Sequence, residues 1–398
     1  MSSDGSLRIL FATPAYWPAA SFGGPIWVQR ELARRLVERG HELEIVTTSL
    51  LDLHRPGAAR TRVETVDGAR VRYLATPIRY RWMGITPTLP VVLAQLPRPD
   101  VVHLFGFRDV VTTGAASWAR LRRIPYVLEP LGMFKPRLRK VRLKKAFDAT
   151  VARGLAAGAS AIVVSSSVER DDVVAAGAPA RLVRVRGNGF PETLQGKPGE
   201  RLRRELGIPN EVPLVLYVGR IAAGKGIELL LDAARELRDT HLVLVGPDDR
   251  HGTMALVRAA QSDRATAGRV HVLPALEEQP VELYAEADVV VLPSAGDSFG
   301  MSAAEAAAAG VPVVISEHCG IRDFFREGEA LVVGYEGRAL SEALRSVLSN
   351  DELHRSLAAG GRAAARRMSW DHVVDVQEEI YRSIASSTAA RKFSTLGS

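Results

Sequence analysis

Cysteine is nearly absent from this sequence. Cys319 stands alone in 398 residues, which excludes an internal disulfide and a cysteine-built metal centre and points to a reducing compartment. The nine histidines show no paired ligand spacing, so a histidine metal site is not indicated either. Long hydrophobic runs are missing too: each is interrupted by charge or glycine well before the roughly 20 residues a membrane span needs. Met1 to Ser6 is polar and lacks the basic-then-apolar layout of a signal peptide. What is present is the composition of an ordinary globular protein, 46% hydrophobic and 24% charged, in a chain long enough for two domains with separate cores.

The net charge of +7 hides an asymmetry. Residues 1–190 carry 29 Lys/Arg against 15 Asp/Glu, net +14, and the remainder 23 against 30, net −7. The basic half suits nucleic acid, an anionic membrane surface or a phosphorylated substrate. Its densest part, Lys135 to Lys145 (KPRLRKVRLKK), has no acid, and Leu138, Val141 and Phe147 could form the apolar stripe of a surface helix. A solvated basic helix face reads the same way. No interleaved aromatics or reader motif accompany the run, so nucleic acid is not the expected partner.

Along the chain, short apolar runs alternate with helical patterns, as in open parallel α/β sheets. Leu7–Ala12 predicts a first strand, and a loop ending in Phe22-Gly23-Gly24-Pro25 leads to a helix over about Ile26–Glu38 and a strand at Glu42–Thr47. The double glycine serves a tight turn as well as a close approach to phosphate. Further strands are expected at Val71–Leu74, Asp100–Leu104, Pro125–Glu129, Ala161–Ser165 and Leu182–Val185. His103 closes the second of these, where a lone histidine is either structural or a site residue. Pro130-Leu131-Gly132-Met133 follows the third, at a strand end where such sheets place ligand contacts.

The pattern then restarts. Strand Leu214–Gly219 is followed by Arg220-Ile221-Ala222-Ala223-Gly224-Lys225-Gly226 and a helix over Ile227–Leu237. Strands follow at Leu242–Pro247 and Val270–Pro274, then a short helix at Glu282–Asp288. Val289–Leu292 is a buried strand, and Pro293-Ser294-Ala295-Gly296-Asp297-Ser298-Phe299-Gly300 joins it to an alanine-rich helix from Ser302 that Gly310 stops. Unpaired N–H groups at such a helix start favour an anion. Asp297 falls in the loop and Glu305 inside the helix, where each has a bland reading, as a cap and as a solvated acid.

Asp297, Phe299-Gly300 and Glu305, eight positions after the first acid, resemble the second-domain signature of the retaining glycosyltransferases of family 4. Gly219-Arg220, a spacer and Lys225-Gly226 are similar to that family's diphosphate loop. An aspartate at 297, where the family usually has glutamate, and Pro274, where it usually has glycine, depart from the pattern. The resemblance spans nearly the whole chain and implies the GT-B fold: α/β, two Rossmann-like doubly wound domains facing a cleft. It places an N-terminal acceptor-side domain at 1–192, completed by a C-terminal helix over 370–386, and a nucleotide-sugar-binding domain at 193–369; the small, polar residues 387–398 read as a disordered tail.

The resemblance also implies roles. Arg220 and Lys225 would bind the diphosphate as it leaves, Glu305 the ribose hydroxyls, and Asp297 with Gly219, Ser298, Phe299, Gly300 and Met301 the donor sugar and phosphates. His103 and the Gly23-Gly24 loop would complete the site from the other domain after hinge closure. No Asp-x-Asp stands at a strand end, and Asp171-Asp172 and Asp248-Asp249 are adjacent acids in other contexts. The expectation is therefore transfer without metal or other cofactor, from a UDP- or GDP-linked sugar to a saccharide or lipid-linked acceptor. The setting expected is the cytoplasm, peripheral to the inner face of an anionic membrane. Another GT-B reaction, such as epimerisation or small-molecule glycosylation, and a silent nucleotide-sugar-binding module stay open beside it.

Overall fold

A computed structural model describes residues 5–52, 55, 57–80, 83–133, 153–190, 201–249, 251–274 and 281–394. The basic run Lys135–Lys145 lies outside the described residues, as do the linker after Phe190 and part of the expected base-contact segment around Leu273–Leu276. The chain divides into two compact units, residues 1–187 with 371–398, and residues 188–370. The division falls at Gly187/Asn188, ahead of the expected 192/193.

The first unit is built on an eight-stranded sheet. Its strands are β1 (Arg8–Thr13), β2 (Glu42–Thr48), β3 (Arg62–Val66), β4 (Ala69–Leu74), β7 (Val101–Phe105), β8 (Tyr126–Glu129), β9 (Ala161–Val164) and β10 (Val183–Val185). A separate hairpin pairs β5 (Ile78–Tyr80) with β6 (Met83–Ile85). The sheet order is β10-β9-β8-β7-β1-β2-β4-β3. All neighbours are parallel except the edge strand β3, which pairs antiparallel with β4. β3 escapes a reading of apolar runs because four of its five residues are exposed. The strands β7, β8 and β9 are buried along their whole length, which is why they read as mostly apolar runs, with His103 and Glu129 as the exceptions. One face packs through Leu10, Val46 and Leu104 on Val111, Ala115 and Ala119 of the helix Val110–Leu121.

The C-terminal helix belongs to this unit and runs Trp370–Ser394. Residues 395–398 of the expected tail lie outside the described residues.

The second unit has six parallel strands, β11 (Leu214–Val218), β12 (His241–Val245), β13 (Val270–Leu273), β14 (Val289–Leu292), β15 (Val313–Ser316) and β16 (Leu331–Val333). Their order is β13-β12-β11-β14-β15-β16. The order reverses between β11 and β14, and a doubly wound sheet binds ligands at the carboxyl ends of the strands flanking such a reversal. The alanine-rich helix, Met301–Ala309, packs against the helix Asp351–Arg367. A Cβ on Gly361 would lie 3.2 Å from Ala307 Cα. That close approach is why this helix buries alanines rather than leucines.

Candidate active site at the strand reversal of the second unit

The loops after β11 and β14 meet at the carboxyl edge of the sheet. The β11 loop is held from below: Gly219 N–H donates to Val245 O at 2.9 Å and the buried Tyr217 hydroxyl to Arg220 O at 2.8 Å. Its last residue, Gly226, has φ +70° and caps the helix Ile227–Glu236. A Cβ there would come within 2.0 Å of Pro293 O, so only glycine lets the two loops touch. Ala295 N–H donates to Gly224 O at 2.9 Å and completes the contact.

The β14 loop is pinned on its other side by the segment after β15. Asp297 N–H donates to His318 O at 3.1 Å, Gly320 N–H to Asp297 O at 3.0 Å and Ile321 N–H to Phe299 O at 2.8 Å. Phe299 is buried at 2% exposure and packs edge-on to Phe190 and against Phe324. Gly300 then opens the helix Met301–Ala309 at φ +116° with no side-chain cap, which leaves backbone N–H groups of the first turn without intrahelical partners.

These loops bring the expected side chains together. Lys225 Nζ lies 2.6 Å from Asp297 Oδ2, both side chains 20% exposed. Arg220 is exposed on the same loop as Lys225, and Ser298 and Met301 are half-buried at the start of the next helix. Glu305 lies inside that helix, and its Oε2 accepts from the Tyr284 hydroxyl at 2.6 Å. Burial pushes the Glu305 carboxyl up to about 7, and the Tyr284 bond opposes that only in part. Tyr284 is fully buried on the short helix Val281–Ala285, and sequence alone offered no sign of its partner 21 residues away.

His103 belongs to the first unit. It lies within β7 rather than at its end, opposite Phe11 of β1 and Val127 of β8, with no exposure. Its Nδ1 is 2.6 Å from the Tyr381 hydroxyl and its Nε2 3.1 Å from Glu129 Oε2. Arg186 reaches both oxygens of Glu129, at 2.9 and 3.0 Å, and donates to Gln377 Oε1 at 2.7 Å. Burial pushes His103 below the usual histidine range despite Glu129. Burial pushes Glu129 up, yet Arg186 and His103 together leave it below the usual carboxylate range. His103 therefore ties the C-terminal helix to the sheet of the first unit. Gly23 caps the helix Gly24–Glu38 with φ +87°, and both glycines are half-exposed.

Two family models match the chain: glycosyl transferases group 1 over residues 199–364, and a glycosyl transferase 4-like domain over residues 23–189. A D-inositol 3-phosphate glycosyltransferase of Geodermatophilus obscurus is 31% identical, over 90% of this chain and 84% of that protein. The chain belongs to the group 1, family 4 glycosyltransferases. A namesake from Xylanimonas cellulosilytica is 29% identical over 91% of this chain and 92% of its own length. Among solved structures, sucrose-phosphate synthase from Thermosynechococcus elongatus superposes with a TM-score of 0.76 at 22% identity, covering 96% of this chain and 100% of that one. Anabaena HepE in complex with UDP gives 0.75 at 20%, covering 95% and 100%. The fold is GT-B, and this member of the family is an enzyme that transfers a glycosyl group from a nucleotide sugar.

Among the described residues no group of three or more His, Cys, Asp or Glu side chains is placed to hold a metal ion. Nor is any helix among them long and apolar enough to cross a membrane.

Proposed function

We propose that the enzyme moves a sugar from a UDP- or GDP-linked donor to a hydroxyl with retention of anomeric configuration, without a metal ion. The observation that carries this reading is the meeting of Lys225 and Asp297 at 2.6 Å, on the two loops flanking the strand reversal. Arg220 and Lys225 bind the diphosphate. As the bond from the anomeric carbon to the terminal phosphate oxygen breaks, they stabilise the charge that develops there, the work a divalent cation would otherwise do. Asp297 anchors a donor-sugar hydroxyl and keeps the Lys225 ammonium over the phosphates. The uncapped start of the helix Met301–Ala309 adds backbone N–H groups, with Gly219, Ser298, Phe299 and Gly300 shaping the loops around them. Glu305 receives the ribose hydroxyls. The acceptor hydroxyl attacks from the face the diphosphate leaves, and its proton passes to the departing phosphate oxygen.

For the acceptor, the relatives named for D-inositol 3-phosphate favour a polyol phosphate. A second reading, a lipid-linked saccharide taken at an anionic membrane surface, is favoured by the net +14 of residues 1–190. UDP- and GDP-sugars assayed against D-inositol 3-phosphate, free inositol and a lipid-linked saccharide separate the two, with product stereochemistry read by NMR. Turnover on the polyol phosphate, α-product from α-donor and full activity in EDTA are expected. Inverted product, or activity lost in EDTA and restored by Mn²⁺, removes the corresponding part of the proposal.

A further inference from the structure

The Tyr284–Glu305 contact joins the helix Val281–Ala285 to the helix Met301–Ala309. Ala303, Ala304, Ala306, Ala307 and Ala308 are all buried around Glu305, and Tyr284 is at 0% exposure. A buried phenol needs a partner for its hydroxyl, and Glu305 Oε2 is that partner at 2.6 Å. Among the described residues no donor is placed on the other oxygen, Oε1. The terminal torsion of a glutamate is soft, so an untethered carboxylate would sample many orientations. A hydroxyl fixed by a buried ring removes that freedom before any ligand arrives.

We propose that Tyr284 is the positioning residue of the nucleotide subsite, holding one oxygen of Glu305 so that the other takes the cis-diol of the donor ribose. This rests on the assignment of Glu305 to the ribose made above. It adds a source of selectivity: the tethered carboxylate rewards a ribose over a 2′-deoxyribose. The pairing also accounts for an acid inside a nearly all-alanine helix face. Burial pushes its carboxyl up to about 7, and the Tyr284 bond is what favours the ionised form that a diol requires.

Titration calorimetry with UDP, GDP and their 2′-deoxy counterparts tests this on the wild type, Tyr284→Phe, Glu305→Gln and Glu305→Asp. Phe keeps the ring and its packing and removes only the hydroxyl. It should weaken the preferred nucleoside diphosphate about tenfold, the usual scale for a hydrogen bond to a charged group, and abolish most ribo-over-deoxy discrimination. In turnover, donor KM should rise while kcat at saturating donor stays within about twofold, the signature of lost uniform binding. Glu305→Asp, which retracts the carboxylate from the phenol, should show the same loss and covers the case of an unstable Phe variant. Wild-type affinity and discrimination in Tyr284→Phe, with both lost in Glu305→Gln, would overturn the role of Tyr284 alone. Wild-type behaviour in Glu305→Gln would overturn the ribose assignment beneath it.

Discussion

Each unit gathers a carboxylate and a cation at the carboxyl ends of its parallel strands, and the two sets differ in almost everything else. In the first, Glu129 and Arg186 are sealed at 3% and 0% exposure, with His103, Gln377 and Tyr381 closing the ring around them. In the second, Asp297 and Lys225 stand on loops at 20% exposure each, beside the exposed Arg220. A sealed pair has spent its hydrogen-bonding capacity on protein and holds a helix in place. A half-open pair keeps capacity for a ligand. The same residue chemistry thus makes a brace in one unit and a site in the other, and solvent access sets which.

The largest effect should come from breaking the brace. Arg186→Ala leaves Glu129 as an uncompensated buried charge, at a cost of about 3–5 kcal/mol in chemical denaturation. Adding Glu129→Gln to that variant should recover part of the loss. A wild-type midpoint in Arg186→Ala would erase the contrast between the two sets.

Next is Glu305, whose folded-state carboxyl is raised to about 7 from the usual 4.5. Between those values the folded chain binds more protons than the unfolded one, so this residue's contribution to stability falls as pH rises through that window. Glu305→Gln should therefore stabilise the free protein at pH 8 by on the order of 2 kcal/mol, and hardly at all at pH 4. Thermal melts at the two pH values decide it, and equal gains at both would contradict it.

The half-open pair should respond the other way round. Lys225→Ala or Arg220→Ala should lower turnover at least about tenfold, or ~1.4 kcal/mol of transition-state stabilisation. Their melting free energies should move by less than about 1 kcal/mol, as for other half-exposed ions. Wild-type turnover in both variants would remove the diphosphate assignment.

The smallest effect sharpens the comparison at the opposite edge of the second sheet. His241 and His271 stack there, their facing nitrogens 2.9 Å apart. Burial lowers both, and His271, Arg269 and Arg203 lower His241 further. A histidine depressed in the fold leaves the unfolded chain binding more protons below about 6.5. Stability should thus be flat above that pH and fall beneath it, by under about 1 kcal/mol after solvent screening. His271→Gln should flatten the slope in melts between pH 7.5 and 5, and an unaltered slope would show that the pair does not titrate with folding.

Much of the architecture was legible in the sequence because strands buried on both faces are mostly apolar, as Val289–Leu292 is throughout and Val101–Phe105 is but for His103. The loops that carry the candidate site could also be read, since glycine at 226 and 300 marks backbone that few other residues adopt. β3 was not legible, because an exposed edge strand needs no apolar pattern. Composition could place an acid at 305 but not its phenolic partner at 284. Likewise a histidine at 103 reads as a strand end, whereas its burial depends on the helix Trp370–Ser394 folding back over β7 and on Glu129 and Arg186 arriving from two other segments. Local patterning determined the elements, their order and the loops between them, since strand, helix and turn preferences act over a few neighbouring residues. Only the tertiary structure decided which charges are sealed and which stay open, because burial and pairing depend on groups far apart in the chain.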